Sequence, residues 1–312
     1  MSHVRWSLWM VGCVILLLAG SLPAGTKLPP LKPTSAPAAP PAPSYKPLIP
    51  ETIPAYKATL IASGLDKPAG VGVNRYGQYA FVNEFGGNRL WRYQPGGMLS
   101  LYTDFGLDEG LDFYPSAGKM WNQYYFGNNW GGLYRIEADG SRTWVWNYGG
   151  PGCTITAIGI DHSTGLVYFM LTWWAGTPIT TNLYRFDPRT GQGVWFGGFD
   201  DISYGIAVKG NLVYISLYNS GTIVREDKRD LGNVKDVFAS GLGGPSDMEF
   251  DAAGNLYFTE GVGRVSVIKA GTRAAKPLGW GFSGPLGLAL NPKGDIFFSD
   301  YYGGALWVLK KK

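Results

Sequence analysis

From Tyr56 to Lys312 the chain alternates short apolar runs with turns built on glycine, asparagine and aspartate. No stretch of useful length carries the 3.6-residue period of a helix. Gly287-Leu-Ala-Leu290 is a small apolar run that reads as a strand. Asn291-Pro-Lys-Gly294 follows as a turn, its glycine supplying positive φ, and Asp295-Ile-Phe-Phe-Ser299 reads as a second strand. Ala305-Leu-Trp-Val-Leu309 alternates as a third. A fourth precedes the next unit, as in Lys235-Asp-Val-Phe-Ala239.

The unit recurs. Gly284-Pro-Leu-Gly, closing on Ile-Phe-Phe-Ser-Asp300, is echoed by Gly244-Pro-Ser-Asp, closing on Leu-Tyr-Phe-Thr-Glu260, and by Lys67-Pro-Ala-Gly, closing on Ala-Phe-Val-Asn-Glu84. Weaker copies begin near Glu109, Thr156 and Ser203. Six starts, near 69, 110, 157, 204, 246 and 286, give a period of about 43 residues. Four strands per unit at that period predict an all-β fold, a six-bladed β-propeller with four antiparallel strands per blade. The last unit ends after three strands. Tyr56-Lys-Ala-Thr-Leu-Ile-Ala62 is predicted to supply its outer strand, so that the N-terminal strand closes the ring and removes an open edge.

These units resemble NHL-type repeats and those of streptogramin lyases and gluconolactonase-like six-bladed propellers. The resemblance rests on Gly-Pro-x-x, on Asp251-x-x-Gly-Asn-Leu-Tyr-Phe-Thr-Glu260 and on Gly261-x-Gly-Arg-Val265, and it covers about residues 60–312. It implies a fold more than a chemistry, because one propeller scaffold hosts unrelated functions.

In a propeller the inner strands line a central channel, so residues at its mouth are the ones to examine. The repeat places Ala69, Glu109, Ala157, Tyr204, Asp247 and Leu286 where inner strands begin. It places Glu84, Asn128, Trp173, Asn219, Glu260 and Asp300 where second strands end. The gluconolactonase-like resemblance implies a divalent cation, Ca²⁺ or Mg²⁺, held by channel oxygens. Asp247 lies near that family's Pro-Asp-Gly position, displaced by one serine, and Glu109 in Glu-Gly-Leu is similar to its Glu-Gly-Pro ligand. Blades three and four offer Ala-Ile-Gly and Tyr-Gly-Ile where the family has amide ligands, so Glu109 and Asp247 are the metal candidates without a complete site. The competing reading has both carboxylates bonded to loop amides. The streptogramin-lyase resemblance implies a histidine base, but His162 sits in the polar turn Asp161-His-Ser-Thr-Gly165, which faces away from the mouth. The recurring acids Glu84, Glu260 and Asp300 read as structural acceptors of loop amides. No Ser–His–Asp set, zinc spacing or phosphate-binding loop is present.

Aromatic residues change this picture. They make up 15 % of the chain, and Trp121, Trp130, Trp144, Trp146, Trp173, Trp174 and Trp195 all fall in units two and three. Trp144 and Trp146, two apart, are expected to share one strand face and pack together. Gly127-Asn-Asn-Trp130 and the long loop carrying Trp173 and Trp174 combine rings with amides and hydroxyls. Such surfaces suit a sugar ring or a partner's backbone, although inter-blade packing accounts equally for the Trp173–Trp174 pair.

Residues 1–25 carry Arg5 and an apolar run from Trp6 to Gly20, with small residues at Ala19, Ser21 and Ala24 about its end. They read as a signal peptide or an uncleaved membrane anchor. Residues 26–55 read as a Pro-rich spacer, since 11 of the 21 prolines lie between Pro23 and Pro54. Residues 56–312 form the propeller. Cys153, the one cysteine outside the leader, reads as a small buried strand residue, so an exported fold would be held by packing without a disulfide. A net charge of +4 gives no nucleic-acid footprint. The sequence therefore predicts an extracytoplasmic propeller that binds a glycan, small molecule or protein through Glu109, Asn128, Trp130, Trp173, Trp174, Tyr204 and Asn219, touching a membrane only through its N-terminal segment. A metal-assisted lactonase-like hydrolase or lyase, and a structural subunit of an envelope complex, are the alternatives.

Overall fold

The computed structural model describes residues 50–105, 115–120, 123–148, 152–174 and 179–312. The leader, nearly all of the spacer, Glu109 and Trp121 lie outside the described residues. The described residues form six antiparallel sheets and contain no helix. Blades I to VI span 68–104, 115–147, 153–199, 206–239, 245–280 and 285–311, with inner strands Pro68–Val73, Pro115–Met120, Cys153–Ile160, Ile206–Lys209, Pro245–Phe250 and Pro285–Leu290. In blades I to IV the strands pair in chain order from the channel outward, and blades V and VI do the same with a strand from upstream of blade I added at the outer edge.

Ring closure follows the expectation. Tyr56–Ser63 pairs antiparallel with Ala305–Lys311, Tyr56 opposite Lys311 and Ser63 opposite Ala305, and becomes the outer strand of blade VI. A second device was not foreseen: Glu51–Thr52, in the stretch read as spacer, adds a fifth strand to the edge of blade V, opposite Gly279 and Trp280. Chain upstream of the closing strand thus covers an edge that would otherwise present unpaired backbone groups.

The core is divided. Six hydrophobic clusters lie one at each junction between adjacent blades. Phe81 and Leu90 of blade I meet Phe126 and Tyr134 of blade II, and Tyr257 and Val265 of blade V meet Phe298 and Leu309 of blade VI. A middle strand therefore buries both faces, which is why Ala80–Glu84, Leu256–Glu260 and Ile296–Asp300 are buried at every position and each begins with three consecutive apolar residues before its polar end at the mouth. Cys153 is fully buried at the start of the blade III inner strand, as expected.

Glycine acts at two kinds of place. Gly254 and Gly294 hold φ of 84° and 82° in the turns between first and second strands of blades V and VI. Around the channel the issue is space: a Cβ on Gly70 would lie 2.1 Å from the backbone nitrogen of Gly118 in the next blade. Small residues at the start of the inner strands let six blades converge on one axis. A register irregularity recurs there, at Pro68/Val71, Pro115/Ala117, Ile155/Ala157, Pro245/Met248 and Pro285/Leu288, and bends these five inner strands at the mouth.

The tryptophan pair on the outer strand of blade II departs from expectation. A register shift between Trp144 and Trp146 inserts Val145, so the two rings part. Trp144 stacks on Tyr134 at 6.1 Å in the I–II junction, whereas Trp146 packs on Phe169 at 4.8 Å and Tyr184 at 5.0 Å in the II–III junction. A bulge changes the two-residue period on which the expectation rested.

Candidate functional site

Loops from an outer strand to the next inner strand, and from a second to a third strand, emerge at the end where inner strands begin. That end is the channel mouth. It is floored by Ala69, Gly70, Ala117, Gly118, Ala157 and Gly287, with Tyr204 and Asp247 as its larger polar groups, and holds about 260 Å³ including space open to solvent. The inner strand of blade II begins at Pro115, so Ala117 is the counterpart of Ala69 and the unit starts later than the predicted position near 110. Pro115-Ser-Ala-Gly118 is the echo of Pro68-Ala-Gly70 that would have found it.

Tyr204 and Asp247 stand at the mouth as expected. Tyr204 packs edge-on against Tyr218 at 5.3 Å. Burial, helped by the neighbouring Tyr218, Tyr302 and Tyr301, pushes its hydroxyl up to about 12, so it is a neutral hydrogen-bond donor at physiological pH. Asp247 is nearly buried and fully engaged. Its Oδ1 accepts from the Met248 amide at 2.8 Å and its Oδ2 from the Leu288 amide at 2.8 Å. The Lys119 ammonium lies 3.3 and 3.1 Å from the same two oxygens. Four acceptor positions on a carboxylate are thereby used. Burial pushes Asp247 up to about 6, countered in part by Lys119 and the Leu288 amide, so the carboxyl is mostly ionised at neutral pH.

Lys119 was not singled out in the sequence. It lies on the inner strand of blade II and reaches the inner strand of blade V, which is diametrically opposite in a six-membered ring. Its Nζ also donates to the Leu288 carbonyl at 2.6 Å and stands 3.3 Å from Glu249 Oε2. Burial opposes its charge, but Asp247 and Glu249 outweigh that and raise its pKa. The available signal was a lysine in the run Ala117-Gly-Lys-Met120, two positions past a mouth residue, facing a blade V strand with carboxylates at the matching positions 247 and 249.

The gluconolactonase-like resemblance implies a divalent cation here, and the described oxygens do not fit one with Lys119 in place. Asp247 has no acceptor position left, and the ammonium already occupies the point on which Asp247, Glu249 and the Leu288 carbonyl converge. No group of three or more His, Cys, Asp or Glu suited to a metal occurs among the described residues.

The second ring divides by role. Glu84 accepts from the Asp66 amide, Glu260 from the Gly243 amide and Asp300 from the Ser283 amide, each tying the incoming loop to the turn after the second strand. Asn128 is buried, and its Oδ1 accepts from the amides of Trp130 and Gly132, so it shapes the turn beneath Trp130. In blade IV the carboxylate moves across the same junction: Asp201 in the incoming loop accepts from the amides of Asn219 and Ser220. Asn219 itself is exposed. One position earlier, Thr259 and Ser299 donate to the carbonyls of Leu286 and Ala69 at 2.6 Å each, joining blade V to VI and VI to I. The Phe-Thr-Glu and Phe-Ser-Asp endings carry both devices.

Aromatic rings surround the mouth. Trp173 is half-buried on the II–III junction and meets Tyr148 edge-on at 5.3 Å. Trp174 is 40 % exposed, with its indole N–H donated to Thr154 Oγ1 at 2.8 Å. Trp130 is half-buried, while Tyr148 and Tyr302 are 50 % and 81 % exposed. His162 lies at the far end of the blade III inner strand, in the exposed turn expected of it.

No protein-family model matches the sequence, and no curated protein matches it either. Solved structures do. A gluconolactonase from Xanthomonas campestris superposes with a TM-score of 0.68 at 16 % identity, over 94 % of this chain and 99 % of that one. The calcium-binding protein regucalcin from Agrobacterium tumefaciens gives 0.64 at 15 %, over 82 % and 94 %. A catalytically inactive virginiamycin B lyase from Staphylococcus aureus, solved with quinupristin, gives 0.59 at 14 %, over 82 % and 100 %. The neighbours are thus gluconolactonase/regucalcin-like and streptogramin-lyase-like six-bladed propellers, and at these identities the likeness establishes the fold that this chain shares with them.

Proposed function

We propose that the propeller is a binding module whose ligand lies across the channel mouth, and that the chain is exported by its N-terminal segment and held off a surface by the Pro-rich stretch. The observation that carries the binding reading is the contrast between floor and rim. The floor is shallow: the space it leaves for water is about 10 Å³, room for roughly one molecule, against the roughly 300–1,000 Å³ of pockets that enclose small molecules. The rim presents exposed rings at Tyr148, Trp174 and Tyr302, with the neutral Tyr204 hydroxyl between floor and rim. Flat apolar faces next to single donors fit a sugar ring or an extended peptide, which is contacted along its length without being enclosed.

The test is titration of the purified chain with oligosaccharides and unfolded peptides, read by tryptophan fluorescence. Saturable quenching that Trp174→Ala weakens by about tenfold or more, on the scale of a central aromatic contact, is the expected result. Turnover of a lactone that depends on Asp247 would replace this reading by the hydrolase one.

A further inference from the structure

We propose that Lys119 is the channel's resident cation: its ammonium stands at the point where a divalent metal would, and couples opposite blades without one. The inference is independent of which ligand, if any, the rim binds.

Oxygens of three residues converge on one nitrogen from two strands. Asp247 and Glu249 come from blade V and the Leu288 carbonyl from blade VI, at 2.6 to 3.3 Å from Nζ. Two carboxylates and a carbonyl are the hard oxygen donors that calcium or magnesium takes, with water completing the shell. What fills the cage is a single charge on a stem anchored in blade II, which also neutralises carboxylates that burial would otherwise penalise. A lysine is a permanent part of the chain, so the bridge from blade II to blade V needs no ion from the surroundings. Removing the stem leaves two carboxylates side by side on one face of the blade V strand with no cation between them, and a free divalent ion is then the natural replacement.

The experiment compares the full chain with its Lys119→Ala variant by thermal unfolding and calorimetric titration, using calcium chloride and magnesium chloride as the probes. The wild-type chain is expected to bind neither ion in the channel and to keep its Tm in millimolar calcium. Lys119→Ala is expected to have a lowered Tm that rises by about 5 °C when calcium saturates the cage, a gain that Asp247→Asn removes when added to the variant. Stoichiometric calcium binding by the wild-type chain that is lost in Asp247→Asn overturns the proposal. So does a folded Lys119→Ala variant that gains nothing from either ion. Should Lys119→Ala fail to fold even with calcium, Lys119→Met supplies the same comparison with the stem's volume kept, and the wild-type titration still decides the first half.

Discussion

In blade V the second strand ends on Glu260, whose carboxylate accepts from the Gly243 amide, from Arg264 and from the Ser266 hydroxyl, all within 2.8 Å. In blade III the same place is held by Trp173, and among the described residues no carboxylate ties the incoming loop there: the Trp174 amide donates to the Gly152 carbonyl at 2.9 Å and its indole to Thr154. The far ends of the two blades differ as well. Asp251 closes its own turn in blade V, accepting from the amide and side chain of Asn255. Asp161 in blade III reaches the Lys228 ammonium of blade IV at 2.5 Å. Blade V closes both of these ends on its own residues and its incoming loop, while its channel face bonds to blades II and VI. Blade III gives up the mouth carboxylate and carries rings there instead. Where the repeat keeps its acid, the residue is joinery; where it departs, side-chain area is released towards the mouth.

The largest effect that would break this comparison is at Glu260. Glu260→Ala leaves the half-buried Gly243 amide and the buried Ser266 hydroxyl without their acceptor and frees Arg264. A loss of about 3 kcal/mol is expected in urea unfolding. A loss below about 1 kcal/mol, the size of one ordinary hydrogen bond, would mean that blade V, like blade III, closes this junction without a carboxylate.

Next in size is the acid response of blade III. Burial alone would raise the Asp161 pKa, but the Lys228 ammonium and the Ser163 hydroxyl and amide outweigh it and hold the carboxyl at about 2. Its folded value lies below its unfolded one, so the stabilisation is complete above about pH 4 and is lost as pH falls through about 2; integrated, it is on the order of 2 kcal/mol. The unfolding free energies of the wild-type chain and Asp161→Asn should therefore differ most near neutrality and converge between pH 4 and pH 2. A gap that stays constant over that range would remove the III–IV ion pair from the account.

The same contrast explains what could be read in advance. Blades V and VI were legible strand by strand because the residues that define the repeat, Gly254 and Gly294 in the turns and Thr259-Glu260 and Ser299-Asp300 at the mouth, each perform a local geometric task. The closing strand was legible because a three-stranded last unit leaves an edge to cover. Lys119 was not, since its partners lie 128 and 130 positions away on the opposite blade and nothing local marks a residue whose task is across the axis. The parting of Trp144 and Trp146 was hidden for a related reason: a one-residue bulge is invisible to a period-two reading. Asn128 and Asn219 were placed at the mouth end from the repeat, but their hydrogen bonds were not legible there: Asn128 Oδ1 accepts from two turn amides, and the Asn219 backbone amide donates to Asp201.

The smallest expected stability effect sharpens the comparison most. Trp174 is part of the face that blade III releases, and it gives the fold only a partly exposed ring and one hydrogen bond to Thr154. Trp174→Ala should cost about 1 kcal/mol or less, because exposed area returns little on folding and Thr154 can take a water in place of the indole. If the ring were chiefly packing, the cost would instead approach the 3–5 kcal/mol of truncating a buried aromatic. Urea unfolding of this variant therefore separates the two readings that the sequence left equal, without any ligand being known. A near-neutral result leaves the exposed indole without a structural task, and a large one assigns Trp174 to the same joinery as Glu260.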